Sequence, residues 1–278
     1  MRALCITDKV RLFNGGKKMK IDMHCHVKEG SPDSRVKVEE YIALLQRQGF
    51  DGMLITDHDT YDGYRYWRDN IKDKKYKDFV VLRGIEYDTL DAGHFLVVMP
   101  TDVSLKILEH KGMPLWLLML VVHKHNGIIG PAHPYGERFL SVFNTGIHKK
   151  TTAIATDFDF VEGFNACEDE ESNMKAQKTG KKYNIPCVGG SDSHRVDCVG
   201  TAYTYFPIDI KNENELIKYI RHNGKVKCGG RQYIGTAKHK LGVFNNILVQ
   251  GFWFYNKIGA LMHSKHRKFE LKKLEKRI

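Results

Sequence analysis

Histidine and acidic residues recur at the ends of short apolar segments along this 278-residue chain. His24 and His26 are two residues apart in MKIDMHCHV, so on a strand both side chains would point to one face. The same spacing returns at Asp192 and His194 in CVGGSDSH. Because the carboxyl ends of parallel strands converge at one edge of an α/β fold, residues far apart in sequence can share a site there. The pattern therefore predicts a fold that gathers strand ends around one polar mouth.

Short apolar segments alternate with longer helical patterns from about Lys20 to Gly235, which is the rhythm of βα units. We predict seven strands, at residues 19–27, 52–59, 79–87, 94–99, 127–133, 158–165 and 187–194. Helices are predicted at residues 38–48, 105–125, 168–183 and 213–222. The hydrophobic content of 42% is enough for a sizeable core. Seven strands favour a β/α barrel or a strongly curved sheet.

The positive charge of the chain is concentrated at its C-terminal end. The formal net charge is +11, of which residues 236–278 supply +8 and the preceding residues only +3. A chain that binds nucleic acid over its whole surface spreads its charge, so this asymmetry indicates a nearly neutral domain with a basic tail. We therefore divide the chain into an N-terminal leader (1–18), a main domain (19–235) and a basic amphipathic tail (236–278).

Apolar residues within the tail recur at three- and four-residue steps from Leu241 to Met262, which predicts an amphipathic helix. Seven basic residues follow between Lys265 and Arg277. Polar residues interrupt the apolar run, which argues against a transmembrane span. Two alternatives stay open: an interfacial helix on an anionic membrane through residues 241–277, or a helix packed on the main domain.

The cysteines and the N-terminus bear on the compartment. Six cysteines are scattered without a CxxC pair, which is typical of reduced thiols. The N-terminal residues have no apolar core or cleavage pattern of a signal peptide. We therefore expect a cytoplasmic protein, membrane-peripheral if the tail lies on a bilayer.

The strand-end residues carry donor atoms suited to metals. A single histidine at a strand end is more often a hydrogen-bonded structural residue than a ligand, but a whole set at one end is not explained in that way. Imidazole mixed with carboxylate suits zinc, manganese or iron better than magnesium or calcium. We therefore predict a polynuclear metal site built from His24, His26, His58, Glu86, His94, His133, Asp192 and His194.

The motifs HCH (24–26), TDHD (56–59), GIEYD (84–88), GHF (93–95), PAHP (131–134) and GGSDSH (189–194) resemble, in this order, those of the PHP (polymerase and histidinol phosphatase) family. The resemblance implies a distorted seven-stranded β/α barrel that holds two to three divalent ions of manganese, iron or zinc. The ligands it implies are His24, His26, Glu86 and Asp192 for the first metal, Glu86, His94 and His133 for the second, and Asp33, His58 and His194 for the third. Asp57 is expected to orient a ligand.

A site of this kind suits phosphate-ester hydrolysis. That reaction can require accelerations approaching ~10²¹, whereas a positioned acid or base supplies ~10²–10⁴. We expect a metal-bound hydroxide, between metals bridged by Glu86, to attack phosphorus, with Asp192 and His194 also acting at the reacting centre. Arg138 and Arg195 are the candidate phosphate clamps.

The substrate is expected to be a small phosphorylated metabolite or nucleotide. Two other functions stay open. One is a nuclease acting on short RNA or DNA, which the basic tail would recruit. The other is a regulatory module that uses the metals structurally.

Overall fold

The structure, a computed structural model, describes residues 18–236 and 245–275. These residues form ten strands and seven α-helices: β1 (Met19–Cys25), α1 (Val38–Arg47), β2 (Gly52–Ile55), α2 (Asp62–Asn70), β3 (Val80–Arg83), β4 (Ile85–Asp88), β5 (His94–Val98), α3 (Leu115–Lys124), β6 (Ile128–Pro131), β7 (Val161–Asn165), α4 (Glu170–Tyr183), β8 (Cys187–Gly190), β9 (Ala202–Phe206), α5 (Glu213–Arg221), β10 (Lys227–Gly230), α6 (Asn245–Met262) and α7 (Ser264–Glu275). Short 3₁₀ turns occupy much of the segment between β6 and β7. The mixed α/β class predicted from the βα rhythm is confirmed.

The strands form three sheets. The largest has the order β10-β9-β1-β2-β3, the second is β4-β5-β6, and β7 pairs with β8. Neighbouring strands run parallel in β1-β2-β3 and in β7-β8, and antiparallel in β4-β5-β6. The strands β2, β4, β5 and β6 are buried along their whole length, because both of their faces are covered.

The predicted seven-stranded β/α barrel is not confirmed. Within residues 18–236 and 245–275 the sheets do not close into a barrel, and β9 and β10 were not among the predicted strands. The predicted strand 79–87 is two strands, β3 and β4, that lie in different sheets. Gly84 separates them, and a Cβ at this position would meet the Leu54 side chain at 3.0 Å. The chain thus passes close to β2 where it changes sheets.

The helices cover the sheets with apolar faces. Helix α1 buries Tyr41, Ile42 and Leu45 against β2, and Trp67 of α2 joins the same cluster. The predicted helix 105–125 is a 3₁₀ turn followed by α3, which begins after Pro114. The chain breaks there because proline cannot continue a helix from the preceding turn.

Helices α6 and α7 pack on the main domain. Leu271 and Leu274 of α7 contact the core around β4, β5 and α3. The guanidinium of Arg267 donates hydrogen bonds to the carbonyl oxygens of Lys111 and Ala260. The described part of the tail is therefore packed on the main domain along one face.

Parts of the predicted leader and tail, residues 1–17, 237–244 and 276–278, lie outside the described residues. The three-part division of the chain stays a prediction. Among the helices that the structure describes, none has both the length and the apolarity needed to cross a bilayer.

Candidate metal centre

One polar cluster collects every side chain for which metal binding was predicted. His24 and His26 lie at the carboxyl end of β1, and His58, His133, Asp192 and His194 come shortly after the ends of β2, β6 and β8. Glu86 lies within β4, and His94 is the first residue of β5, which runs antiparallel to β4. Contacts shorter than 4 Å link these side chains into one group: His24, His26, Asp33, His58, Glu86, His94, His133, Asp192 and His194. Their roles as ligands stay predictions.

Glu86 lies at the centre of the cluster. Its Oε1 atom is 3.0 Å from His94 Nδ1 and 3.0 Å from His133 Nε2. Its Oε2 atom is 3.0 Å from His58 Nδ1. A β-bridge between His58 and Glu86 aligns the segment after β2 with β4 and holds these two side chains together. The carboxylate can therefore bridge two cations.

His24 and His26 form the innermost part of the cluster. Their Nε2 atoms are 3.1 Å apart, and both lie within 3.5 Å of Asp192 Oδ1. They also lie within 3.4 Å of Glu86 Oε2. Gly190 allows β8 to approach this closely, because a Cβ there would stand 2.2 Å from the Cβ atom of His24.

Asp33, His58 and His194 form the open side of the cluster. Asp33 Oδ2 is 3.5 Å from His58 Nε2 and 3.2 Å from His194 Nε2. The side chains of His58 and His194 are 21% and 27% exposed, whereas those of His24 and His26 are fully buried. A ligand therefore reaches the cluster from the side of Asp33 and His194.

Donor type and burial fit divalent metals. Donor atoms within 4.8 Å of one another occur in three sets: His26, His58 and His194; His24, His26 and Glu86; and His58, Glu86 and His94. The buried Oε2 atom of Glu86 lies 3.0 Å from His58 Nδ1, but no contact that it makes to the described part of the chain has the geometry of a hydrogen bond. A buried acceptor without a hydrogen bond is costly unless a cation satisfies it. Burial opposes ionisation of Glu86, yet the nearby histidines hold its pKa well below the usual range.

Glu162 was not predicted as a site residue, although it holds two of the candidate ligands from behind. Its Oε1 atom is 2.9 Å from His24 Nδ1. Its Oε2 atom accepts a 2.6 Å hydrogen bond from the backbone N–H of His133. Asn165 donates both to Glu162 Oε2, at 3.0 Å, and to Asp192 Oδ2, at 3.1 Å. The sequence signal that could have identified Glu162 is an acidic residue inside the predicted apolar strand FDFVEGFN.

Asp57 contacts His26 through a serine. Its Oδ1 atom accepts hydrogen bonds of 2.9 Å from Val27 N–H and from Ser31 Oγ. Ser31 Oγ lies 3.2 Å from His26 Nδ1. Burial raises the pKa of Asp57 to about 7. Asp57 therefore lies where it can orient His26 through Ser31.

The two arginines predicted to clamp phosphate have other contacts. The Arg138 guanidinium lies 4.7 Å from the ring centroid of Phe139. Arg195 Nε is 3.5 Å from Asp197 Oδ1. Both side chains are exposed, and Arg195 follows His194 directly in the chain. Their roles toward phosphate stay predictions.

Comparison with known proteins links part of this chain to one protein family. Residues 170–224 match the model of the PHP_C family, described as PHP-associated. The matched range runs from α4 to just beyond α5 and contains Asp192 and His194. No curated protein matches the sequence. The fold is therefore PHP-like, and the resemblance to the PHP family that the sequence motifs indicated is confirmed by the PHP_C match and by solved structures described as PHP-like.

Several solved structures share the fold. PsfC from Pseudomonas syringae PB-5123 has a TM-score of 0.59 at 16% identity, covering 85% of this chain and 99% of that one. A two-domain protein from Bacteroides vulgatus containing a predicted PHP-like metal-dependent phosphoesterase has a TM-score of 0.55 at 16% identity, covering 79% of this chain and 66% of that one. The lesion-specific endonuclease PfuEndoQ from Pyrococcus furiosus has a TM-score of 0.56 at 17% identity, covering 76% and 58%. The comparisons lend no support to the predicted membrane contact.

Proposed function

We propose that this chain is a metal-dependent phosphoric ester hydrolase that acts on a small phosphorylated metabolite or nucleotide. The observation that carries the proposal is the position of Glu86. Its buried carboxylate lies within 3.4 Å of a nitrogen atom of each of five histidines, namely His24, His26, His58, His94 and His133. One carboxylate surrounded by five imidazoles suits two or three divalent ions of manganese, iron or zinc better than it suits a network of hydrogen bonds alone.

When bound at this cluster, the metals would polarise the phosphate oxygens and activate water for attack on phosphorus. His24, His26 and Glu86 are sealed from solvent, so they fix the geometry of the inner part of the site. Asp33 and His194 face solvent, so the phosphate group of a substrate enters beside them. Asp192 contacts both the inner pair and His194, and it joins the two parts of the site.

The two candidate arginines would bind the remaining charge of the substrate. Arg195 follows His194, and a guanidinium can hold two phosphate oxygens at once. This role requires Arg195 to leave Asp197, an exposed pair at 3.5 Å that contributes little stability. The guanidinium of Arg138 contacts the ring of Phe139.

A nuclease is the second candidate. The fold likeness to a lesion-specific endonuclease favours it, since that enzyme acts on a nucleic-acid phosphodiester. The net charge of only +3 over residues 1–235 favours a short substrate over a long anionic polymer. The two candidates differ in the ester that the same cluster would cleave.

Phosphate release from the monoesters and chain cleavage of the nucleic acids, both with added manganese, test the proposal. The substrates are histidinol phosphate, nucleoside monophosphates, 3′,5′-bisphosphates and short RNA and DNA, and metal content is measured on the same samples. We expect His24→Ala to lose metal and at least a hundredfold of the turnover. The matched control is His123→Ala on α3, where the histidine pairs with Asp159 away from the cluster. Unchanged metal content and turnover in His24→Ala would contradict the proposal.

A further inference from the structure

Helix α6 turns its large apolar side chains outward. The residues that it buries are mostly polar or small: Asn245, Val249, Asn256 and Ala260. The apolar side chains that it exposes, by 46% to 75%, are Ile247, Leu248, Phe254, Ile258, Leu261 and Met262, and the ring of Tyr255 is exposed beside them. A surface helix of a globular domain normally has the opposite arrangement, with its apolar stripe on the core. We call these six exposed residues the outer stripe.

Specific contacts hold α6 in this orientation. Asn245 donates a 3.0 Å hydrogen bond from Nδ2 to Glu137 Oε1. Asn256 Oδ1 accepts a 3.1 Å hydrogen bond from Lys111 Nζ. Ala260 packs against Gly112, where a Cβ would collide with the alanine. Turning the helix to bury the outer stripe would break all of these contacts, so the outward direction of the stripe is built into the fold.

The outer stripe lies along one face of the helix. Its members share that face from Ile247 to Met262, over about four turns and on the order of 20 Å of helix, with Gly251 as a gap between Leu248 and Phe254. Scattered exposed apolar residues are normal, but six of them on one helix face mark an interaction surface.

The charge of the tail selects the partner. Residues 236–278 carry +8, and the exposed lysines in the described part of this segment, Lys265, Lys268, Lys272 and Lys273, all lie in α7, directly after the stripe. A second copy of this chain would bring an equally basic segment to the same face, which repulsion disfavours. An anionic bilayer offers both an apolar layer for the stripe and negative headgroups for the lysines.

We propose that the outer stripe of α6 docks on an anionic lipid bilayer, with the basic residues of α7 at the headgroups. The inference goes beyond the hydrolase activity and does not depend on it. Helix α6 also contacts the loop after the candidate ligand His133, through the pair Phe139 and Trp253 with ring centroids 5.1 Å apart. Docking would therefore hold the metal cluster near the membrane surface.

Vesicle flotation of the full chain tests the docking. The vesicles are phosphatidylcholine alone and phosphatidylcholine with about one third phosphatidylserine. We expect binding to the anionic vesicles, at least tenfold weaker binding to the neutral ones, and loss of binding at high salt because the lysine contribution is screened. Failure to bind anionic vesicles at low salt would overturn the proposal.

Matched variants locate the surface. Ile258→Asp with Leu261→Asp should reduce the bound fraction at least tenfold, because both residues lie in the outer stripe. The control is Trp116→Asp with Leu120→Asp on α3, which removes equally exposed apolar residues and adds the same charge. Equal loss in both variants would overturn the assignment to α6. Light scattering on the same samples checks self-association, and a dimer broken only by the α6 variant, without vesicle binding, would assign the stripe to a second copy instead.

Discussion

Glu162 fixes the direction of two candidate ligands although it does not reach the open side of the cluster. Its carboxylate contacts His24 Nδ1 and accepts the N–H of His133, so it sets the orientation of one imidazole and the backbone of the other. Carboxylates behind metal-binding histidines usually change metal affinity 10–100-fold when they are removed. We expect Glu162→Gln to weaken metal binding by about that factor, as measured by metal titration.

The control for Glu162→Gln is the same substitution at an exposed glutamate. Glu171→Gln removes an exposed carboxylate that pairs with Lys175 on α4. It should leave metal affinity unchanged, since an exposed pair contributes little. Equal effects of the two substitutions would show that Glu162 does not position the ligands.

Gly190 is the point where β8 meets the ligand strand β1. A Cβ at this position would lie 2.2 Å from the His24 Cβ atom and 2.5 Å from its backbone nitrogen. Backbone atoms cannot move aside as a flexible side chain can, so we expect Gly190→Ala to destabilise the fold by about 1–3 kcal/mol. Chemical denaturation measures the change.

Gly251 in α6 provides the comparison for Gly190. A Cβ there meets no atom within 4 Å, and alanine is the better helix former by up to about 1 kcal/mol. Gly251→Ala should therefore be neutral or stabilising. A Gly190→Ala protein as stable as the wild type would contradict the close approach of β8 to β1.

The individual residues that sequence reasoning could find were those at strand ends. His24, Glu86 and Asp192 belong to short motifs whose order and spacing are recognisable before any fold is known. Glu162 lies inside its strand, and a lone acid there carries no spacing signal. The contact of Arg195 with Asp197 likewise depends on the path of the loop after β8, which no local pattern reveals.

At the scale of elements, local patterns predicted most of the parallel strands and helices but not how the strands are shared among sheets. Residues 79–87 read as one apolar strand because periodicity does not register a change of sheet. Gly84 marks that change only through its distance to Leu54. The strands β9 and β10 pair antiparallel beside β1, and the βα rhythm gave no reason to expect them.

Lys111 connects α6 to the acids behind the metal cluster. Its ammonium lies 3.2 Å from Asp59 Oδ2 and 3.8 Å from Asp88 Oδ2, and it donates to Asn256. Burial lowers the pKa of Lys111, but the two carboxylates outweigh that effect and raise it. Lys111→Met would leave two acids close together without their cation. We expect the free energy of unfolding to fall by about 2 kcal/mol and proteolysis of the tail to become faster.

The control for Lys111 is Lys75→Met, which removes an exposed partner of Glu39. Its effect on stability should be within about 0.5 kcal/mol, as for most surface substitutions. Proteolysis of the tail at equal rates in the wild type and Lys111→Met would show that Lys111 does not anchor α6.

Across the whole molecule, three sheets meet at one histidine-rich centre. Residues from the large sheet, from β4 and β5, and from the segment after β8 all contribute to it, so the centre joins parts of the chain that share few backbone hydrogen bonds. Anything that binds only the folded centre stabilises the entire fold by mass action. Metal binding should therefore be visible in global stability as well as in turnover.

Removal of metal tests this coupling. At a metal concentration 100 times the dissociation constant, one site contributes about 2.7 kcal/mol. For a chain of this size that corresponds to a rise in Tm of about 5–10 °C over chelator-treated protein. Manganese or zinc should produce the rise, whereas magnesium and calcium at the same ionic strength should produce a smaller one, because the donor set is rich in imidazole. Thermal unfolding with each ion measures it, and His24→Ala should remove most of the shift. If chelator-treated and manganese-loaded protein unfold at the same temperature, the buried carboxylate of Glu86 is satisfied by the histidines alone, and the cluster is a hydrogen-bonded core of the fold.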